Sequence, residues 1–110
     1  MPRFIVTGSY TSAAMKAMVE SPSDREAAAR AIVEAAGGKL ESFYLTTGDS
    51  DFAIKVTIDD AADLLAGLIA VGAGGAVTNL KTIRAFTSAE FEAMQKKAGQ
   101  LAGAYKAPGS

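Results

Sequence analysis

Apolar side chains recur along the chain with two alternating periods, every second residue in some stretches and every third or fourth in others. The clearest period-two stretch is Phe52-Ala53-Ile54-Lys55-Val56-Thr57-Ile58, in which Phe52, Ile54, Val56 and Ile58 alternate with small or polar residues. This spacing predicts a strand with one buried face. Arg3 to Tyr10 predicts another, with Phe4 and Val6 on one face and Arg3, Ile5 and Thr7 on the other. Lys39 to Thr47 sets Leu40, Ser42 and Tyr44 against Glu41, Phe43 and Leu45. Large side chains then fall on both faces, so this strand either meets something on its second side or carries a bulge that changes which residues face inward. Gly48-Asp49-Ser50 turns the chain from the second strand into the third, with Gly48 suited to a positive φ. Ala76 to Phe86, rich in β-branched residues, predicts the fourth strand.

Helical spacing fills the intervals. Thr11 to Glu20 predicts a short helical turn with Met15, Met18 and Val19 packing inward. Ser21-Pro22-Ser23-Asp24 reads as a helix start, with Ser21 as N-cap, Pro22 at the first helical position and Ser23 with Glu26 as an alternative capping box. That helix runs through Ala27, Ala28, Ala31, Ile32, Ala35 and Ala36 to Gly37-Gly38, and its alanine face predicts close approach to the sheet. Asp59-Asp60 opens a further helix whose apolar stripe is Leu64, Leu65, Leu68 and Ile69, and Gly72-Ala73-Gly74-Gly75 ends it. This glycine string follows a helix instead of leading into one, so it lacks the free N–H groups of a phosphate loop. Thr87-Ser88-Ala89-Glu90 is a capping box for a last helix carrying Phe91, Met94, Ala98 and Leu101, expected to pack on an edge or on a neighbouring subunit.

The order strand, helix, strand, strand, helix, strand predicts an α+β, ferredoxin-like βαββαβ domain over residues 1–104, followed by a flexible tail at 105–110. Its four-stranded antiparallel sheet carries both main helices on one face, with the C-terminal helix added. The other face is then bare. Its expected members are Ile5, Thr7, Phe43, Leu45, Ala53, Lys55 and Thr57, with either Lys81 and Ile83 or Thr82 and Arg84 from the fourth strand. A second copy of the same sheet is the simplest cover for such a patch, which predicts a homo-oligomer built from dimers.

Composition narrows the chemistry. The 110 residues contain no Cys and no His. Thiolate catalysis, Ser-His-Asp chemistry and the usual zinc sites are therefore outside its reach. Eleven basic residues are scattered among twelve acidic ones for a net charge of −1, which argues against a nucleic-acid or anionic-membrane surface. No apolar run approaches the length of a membrane span and no leader pattern opens the chain, so the expected location is cytoplasmic. Asp49 and Asp51, like Asp59, Asp60 and Asp63, lack a full calcium-loop pattern and are read as turn and cap residues. No metal or cofactor is predicted.

The candidate polar constellation is Asp51, Lys55 and Arg84, joined by Tyr44 and Tyr10, with Arg25 and Lys81 further out. Asp51 and Lys55 share a strand face; Arg84 reaches that face only in the second register of the fourth strand. Inside a barrel made by two sheets these groups would either bind a small polar or anionic ligand or pair with each other across the subunit interface. Arg25, in the first helical turn, has the reach for a pocket mouth, although such arginines are commonly solvated.

Arg3-Phe4-Ile5-Val6 leading to Tyr10-Thr11, Ser21-Pro22-Ser23-Asp24-Arg25, Gly37-Gly38-Lys39, Tyr44-Leu45-Thr46-Thr47-Gly48-Asp49-Ser50-Asp51 and Lys81-Thr82-Ile83-Arg84-Ala85-Phe86-Thr87 together resemble the GYD domain family over roughly residues 3–95. The resemblance implies a ferredoxin-like fold of the dimeric α/β barrel type, and it supplies no catalytic set to carry over. The family's signature tyrosine falls at Ser50, with Gly48 and Asp51 kept around it. A relative that used this tyrosine chemically would do something this chain does not; if the ring only packs, Ser50 costs little. The resulting expectation is a homo-oligomeric protein with a structural or small-ligand-binding role. The alternatives are a cofactor-free barrel enzyme of monooxygenase, isomerase or dehydratase type, and a self-assembling scaffold subunit.

Overall fold

A computed structural model describes residues 1–109; of the tail expected at 105–110, Ser110 lies outside the described residues. The elements are β1 (Arg3–Tyr10), α1 (Ser12–Glu20), α2 (Arg25–Ala35), β2 (Lys39–Leu45), β3 (Phe52–Thr57), α3 (Ala61–Ala73), β4 (Val77–Ala85) and α4 (Ser88–Leu101), followed by a 3-10 turn at Ala102–Ala104. The strands form one sheet in the order β2-β3-β1-β4, every neighbouring pair antiparallel. This is the ferredoxin-like arrangement.

The core lies between the sheet and the helices. Phe4 and Val6 of β1, Leu40 of β2, and Phe52, Ile54 and Val56 of β3 are buried with Ile58, and Val33 of α2 and Leu64 of α3 close over them. The alternation in β1 and β3 therefore sets the inner face as expected.

Two bulges re-aim the edge strands. In β2 the register shifts between Leu40 and Ser42, opposite Val56 and Lys55. One extra residue, at Glu41, flips every later position. Phe43 and Leu45 consequently pair with Ile54 and Phe52 and share the helix side, and Phe43 stacks on Phe52 with centroids 6.4 Å apart. The expectation that Phe43 and Leu45 line the bare face is thus overturned, and Ser42 and Tyr44 take their places opposite Lys55 and Ala53. In β4 the pairing with β1 jumps from Thr7–Lys81 to Ser9–Thr78, and Asn79 takes the left-handed conformation at φ 55°. Its side-chain amide donates to the Asp49 carbonyl at 3.1 Å, which ties the bulge to the β2–β3 turn.

Helix ends follow local chemistry. The α2 start differs from the expected one: Asp24, not Ser21, is the N-cap, its carboxylate accepting from the Ala27 N–H. At its other end Gly37 sits at φ 90°, with Gly38 N–H donating to the Val33 carbonyl and Gly37 N–H to that of Glu34, a Schellman closure. Asp60 caps α3 as expected from the acidic start. The apolar stripe expected on α3 splits, however. Leu64 is buried and Leu68 half-buried against the core, while Leu65 and Ile69 face outward at 58% and 64% exposure. In α1, Met18 is half-buried, but Met15 and Val19 are exposed and pack on no core. No helix of the described residues is long and apolar enough to cross a membrane.

The C-terminal helix α4 stands away from this body. None of its residues is buried, and apart from the 3-10 turn behind it, it packs closely on no other element. The radius of gyration is 18.1 Å and the extents are 62 × 31 × 22 Å, whereas a compact chain of this length has a radius near ~13 Å.

Candidate functional site

The alanine face of α2 does approach its surroundings, but it leaves a space. A Cβ placed on Gly67 of α3 would sit 3.6 Å from the Ala36 Cβ of α2, so the two helices meet closely there. Alongside that contact, between α2, α3 and the sheet, a cavity of about 120 Å³ opens to solvent. Ala28, Ala29 and Ala36 present only methyl groups to it, and Gly67 presents none. Phe43, Phe52 and Leu80 form much of its sheet side.

Two polar side chains border the cavity, those of Tyr10 and Arg25. The same two also line a shallower hollow of about 250 Å³ under α1, together with Ala14, Met18 and Ser23. They therefore stand where the two spaces adjoin. Tyr10, the last residue of β1, rests its ring on Phe52 with centroids 5.5 Å apart. Its backbone N–H donates to the Asp51 carboxylate at 2.9 Å, and the Asp51 N–H donates to the Gly8 carbonyl at 2.7 Å. Asp51 thus extends the β1–β3 ladder beyond β3 and fixes Tyr10 at the rim. Gly8 is needed beneath it: a Cβ there would lie 2.5 Å from the Phe52 ring.

Arg25 opens α2. Its Nη1 donates to the Ser23 hydroxyl at 3.2 Å, while its Nε–H is out of contact with water and meets no acceptor. Among the described residues no carboxylate pairs with it; the ion pairs are Arg3–Glu90, Arg30–Glu26 and Lys96–Glu92. A buried donor without an acceptor carries a desolvation cost of about 1–3 kcal/mol. An acceptor at this rim would remove it once the side chain turned to uncover the Nε–H.

The residues expected to form one constellation lie in three places. Tyr44 and Lys55 are on the open face of the sheet. Asp51 and Tyr10 belong to the end of the sheet beside the cavity. Arg84 pairs with Phe4 and so shares the helix side, which corrects its placement with Asp51 and Lys55; the first register holds, and Lys81 and Ile83 face the open side opposite Thr7 and Ile5. The Arg84 guanidinium lies 4.3 Å from the Phe86 ring centroid and 5.6 Å from that of Phe4. Phe4 and Tyr10 are at opposite ends of β1, roughly 20 Å apart at 3.4 Å per residue, so Arg84 and Tyr10 cannot serve one small ligand.

The cavity itself was not expected. Its signals were present but weak: an alanine face on α2, a glycine inside α3 where alanine would be favoured by about 1 kcal/mol, and an arginine in a first helical turn. Ser50, where the signature tyrosine of the resembled family would fall, lies in the β2–β3 turn, its carbonyl accepting from the Thr46 hydroxyl at 2.7 Å. That position is outside the cavity lining.

Several solved structures are similar in shape at low identity. FFRP-DM1 aligns over 78% of this chain and all of its own, at 14% identity and a TM-score of 0.48. The hypothetical protein PHS023 from Pyrococcus horikoshii covers 80% of this chain and 93% of its own, at 14% identity and 0.47. TTHA0845 from Thermus thermophilus covers 80% and 96%, at 19% and 0.48. No curated protein matches the chain. The family model of the GYD domain matches residues 4–94, which takes in all of the sheet but its first residue, both covering helices and the residues around the cavity; the chain belongs to the GYD domain family.

Proposed function

We propose that this protein is a homo-oligomeric small-ligand-binding protein and that the ligand enters the cavity between α2, α3 and the sheet. The observation that carries the reading is an apolar space bordered by two polar side chains, one of them an arginine with a donor left over. Pockets for small molecules have this make-up, an apolar body with few polar groups to orient the guest. A binding role is favoured over a chemical one because the lining holds no carboxylate, lysine or hydroxyl nucleophile beside Tyr10. Nothing in it pairs a base with a nucleophile, as acid–base or covalent catalysis would require. Titration of labelled protein with toluene, followed by amide NMR, is the test. Shifts confined to the neighbourhood of Ala36, Gly67 and Phe52, and lost in Gly67→Leu, are expected. Saturating toluene with no such shifts would refute the reading.

Self-association is supported by surfaces that a lone chain leaves uncovered. Phe91, Met94 and Leu101 run along one side of α4, and Leu65 and Ile69 stand on the outer side of α3. A helix that is apolar nearly all round, as α3 is, belongs inside an assembly. The open face of the sheet adds Ile5, Ile83 and Tyr44, interleaved with Lys55 and Lys81. It is more polar than Phe43 and Leu45 would have made it. The α4 arm is thus the stronger ground for a second copy than the sheet.

A further inference from the structure

Resting on the cavity as a binding site, we infer that its ligand is a small monocarboxylic acid: an apolar body, a single aromatic ring or short alkyl chain, bearing one carboxylate that pairs with Arg25. The size follows from the space. An engineered apolar cavity of about 150 Å³ accepts benzene, and about 120 Å³ with one open side holds a ring or chain of that order while its substituent points outward. The acid follows from Arg25. Its Nη1 is engaged by Ser23, which leaves the side-on edge of the guanidinium, Nε and Nη2, as the edge that matches two carboxylate oxygens. The Nε–H on that edge has no acceptor and is covered by the protein, so the side chain turns at the rim to present it to the ligand; no protein carboxylate pairs with the group among the described residues.

Neighbouring charges have other partners. Asp24 caps α2 through the Ala27 N–H, and Glu26 is held by Arg30 at 2.8 Å. Asp51 accepts from the Tyr10 backbone. The cation at the rim is therefore not neutralised from within. A guanidinium is a cation with donors only, so the preference is for an anion and not for a polar group in general. A single cation beside a lining otherwise without charge suits one carboxylate; a phosphate ester or dicarboxylate would bring a second charge with no partner.

The experiment compares phenylacetate with benzyl alcohol, similar in ring and size but charged and neutral, by calorimetric titration of the full chain at pH 7 and low salt. Wild-type protein is expected to bind phenylacetate at least tenfold more tightly than benzyl alcohol. In Arg25→Gln that advantage is expected to fall below twofold; in Arg25→Lys, which keeps the charge and loses the fork, an intermediate advantage is expected. Benzyl alcohol binding by each variant verifies that its cavity has formed. Equal affinities for both probes in the wild type would overturn the acid while leaving the cavity reading intact. An advantage that survives Arg25→Gln would overturn the role of Arg25. Binding of neither probe would remove both the inference and the binding function beneath it.

Discussion

Gly67 and Gly8 show how one missing methyl group does opposite things in the same fold. At Gly8 the neighbouring Phe52 ring occupies the place of a Cβ, so the glycine is a packing requirement of β1. At Gly67 a Cβ would meet only ordinary van der Waals neighbours, Ala36 at 3.6 Å and Ile32 at 4.0 Å. A glycine in a helix interior is less stable than alanine by about 0.5–1 kcal/mol. What Gly67 preserves is volume. Gly67→Ala is accordingly expected to raise the urea midpoint by an amount equivalent to about 0.5–1 kcal/mol, and to weaken toluene binding in the same protein. A loss of stability would mean that the helices are packed more tightly at this point than the cavity implies. The sequence could announce a glycine here but not its purpose, because the space it preserves is enclosed by residues from six separate elements. Arg25 is the same case: its position was visible, while its spare donor depends on where Ser23 and the α2 start place it.

Elements whose form is decided within a few residues were legible from the chain. The Gly37-Gly38 closure of α2, the Asp60 cap of α3 and the Thr87–Glu90 box of α4 all stand where local rules put them. The α2 start is not decided locally, because Ser21, Ser23 and Asp24 all qualify as caps, and only the path out of α1 selects Asp24. Faces beyond a bulge were not legible either. Glu41 and Asn79 invert the facing of the strand positions beyond them, and pairing with the next strand, not the strand's own pattern, decides the shift. At α4 the capping acid gives a pH dependence. The Thr87 N–H, then the Arg3 guanidinium at 2.7 Å and the Thr87 hydroxyl, lower the Glu90 pKa from the ordinary 4.5 to about 2. A carboxyl lowered by folding adds stability above its unfolded pKa and loses it as pH falls through the folded one. The first turn of α4 is therefore expected to hold above pH 4.5 and fray between there and about pH 2. Amide exchange at Glu90 and Phe91 reads this directly, and in Glu90→Gln the acid-induced step should vanish. An unchanged step in that variant would assign the fraying to other carboxyls.

The whole molecule joins a compact half-open sandwich to an arm with nothing beneath it. The order of strands and the side on which helices lie were legible, since two β-α-β units around one hairpin leave little choice. The cover needed by the remaining surfaces was not, because it depends on the bulges and on which side of each helix meets the sheet. The open sheet face is a mixture of Ile5, Ile83 and Tyr44 with Lys55, Lys81 and Thr7, and further uncovered apolar side chains sit on α3 and α4. Light scattering at micromolar concentration is expected to give a dimer or larger species, and Phe91→Glu with Met94→Glu to shift it toward monomer. A wild-type monomer would leave α4 without its proposed cover.

Binding in the α2–α3 space is the claim on which the functional reading turns, and crystals of the full chain pressurised with xenon test it with no assumption about charge or chemistry. Xenon density is expected beside Gly67, Ala36 and Phe52. Crystals that take up xenon elsewhere but show this space closed by the side chains around it would contradict the claim.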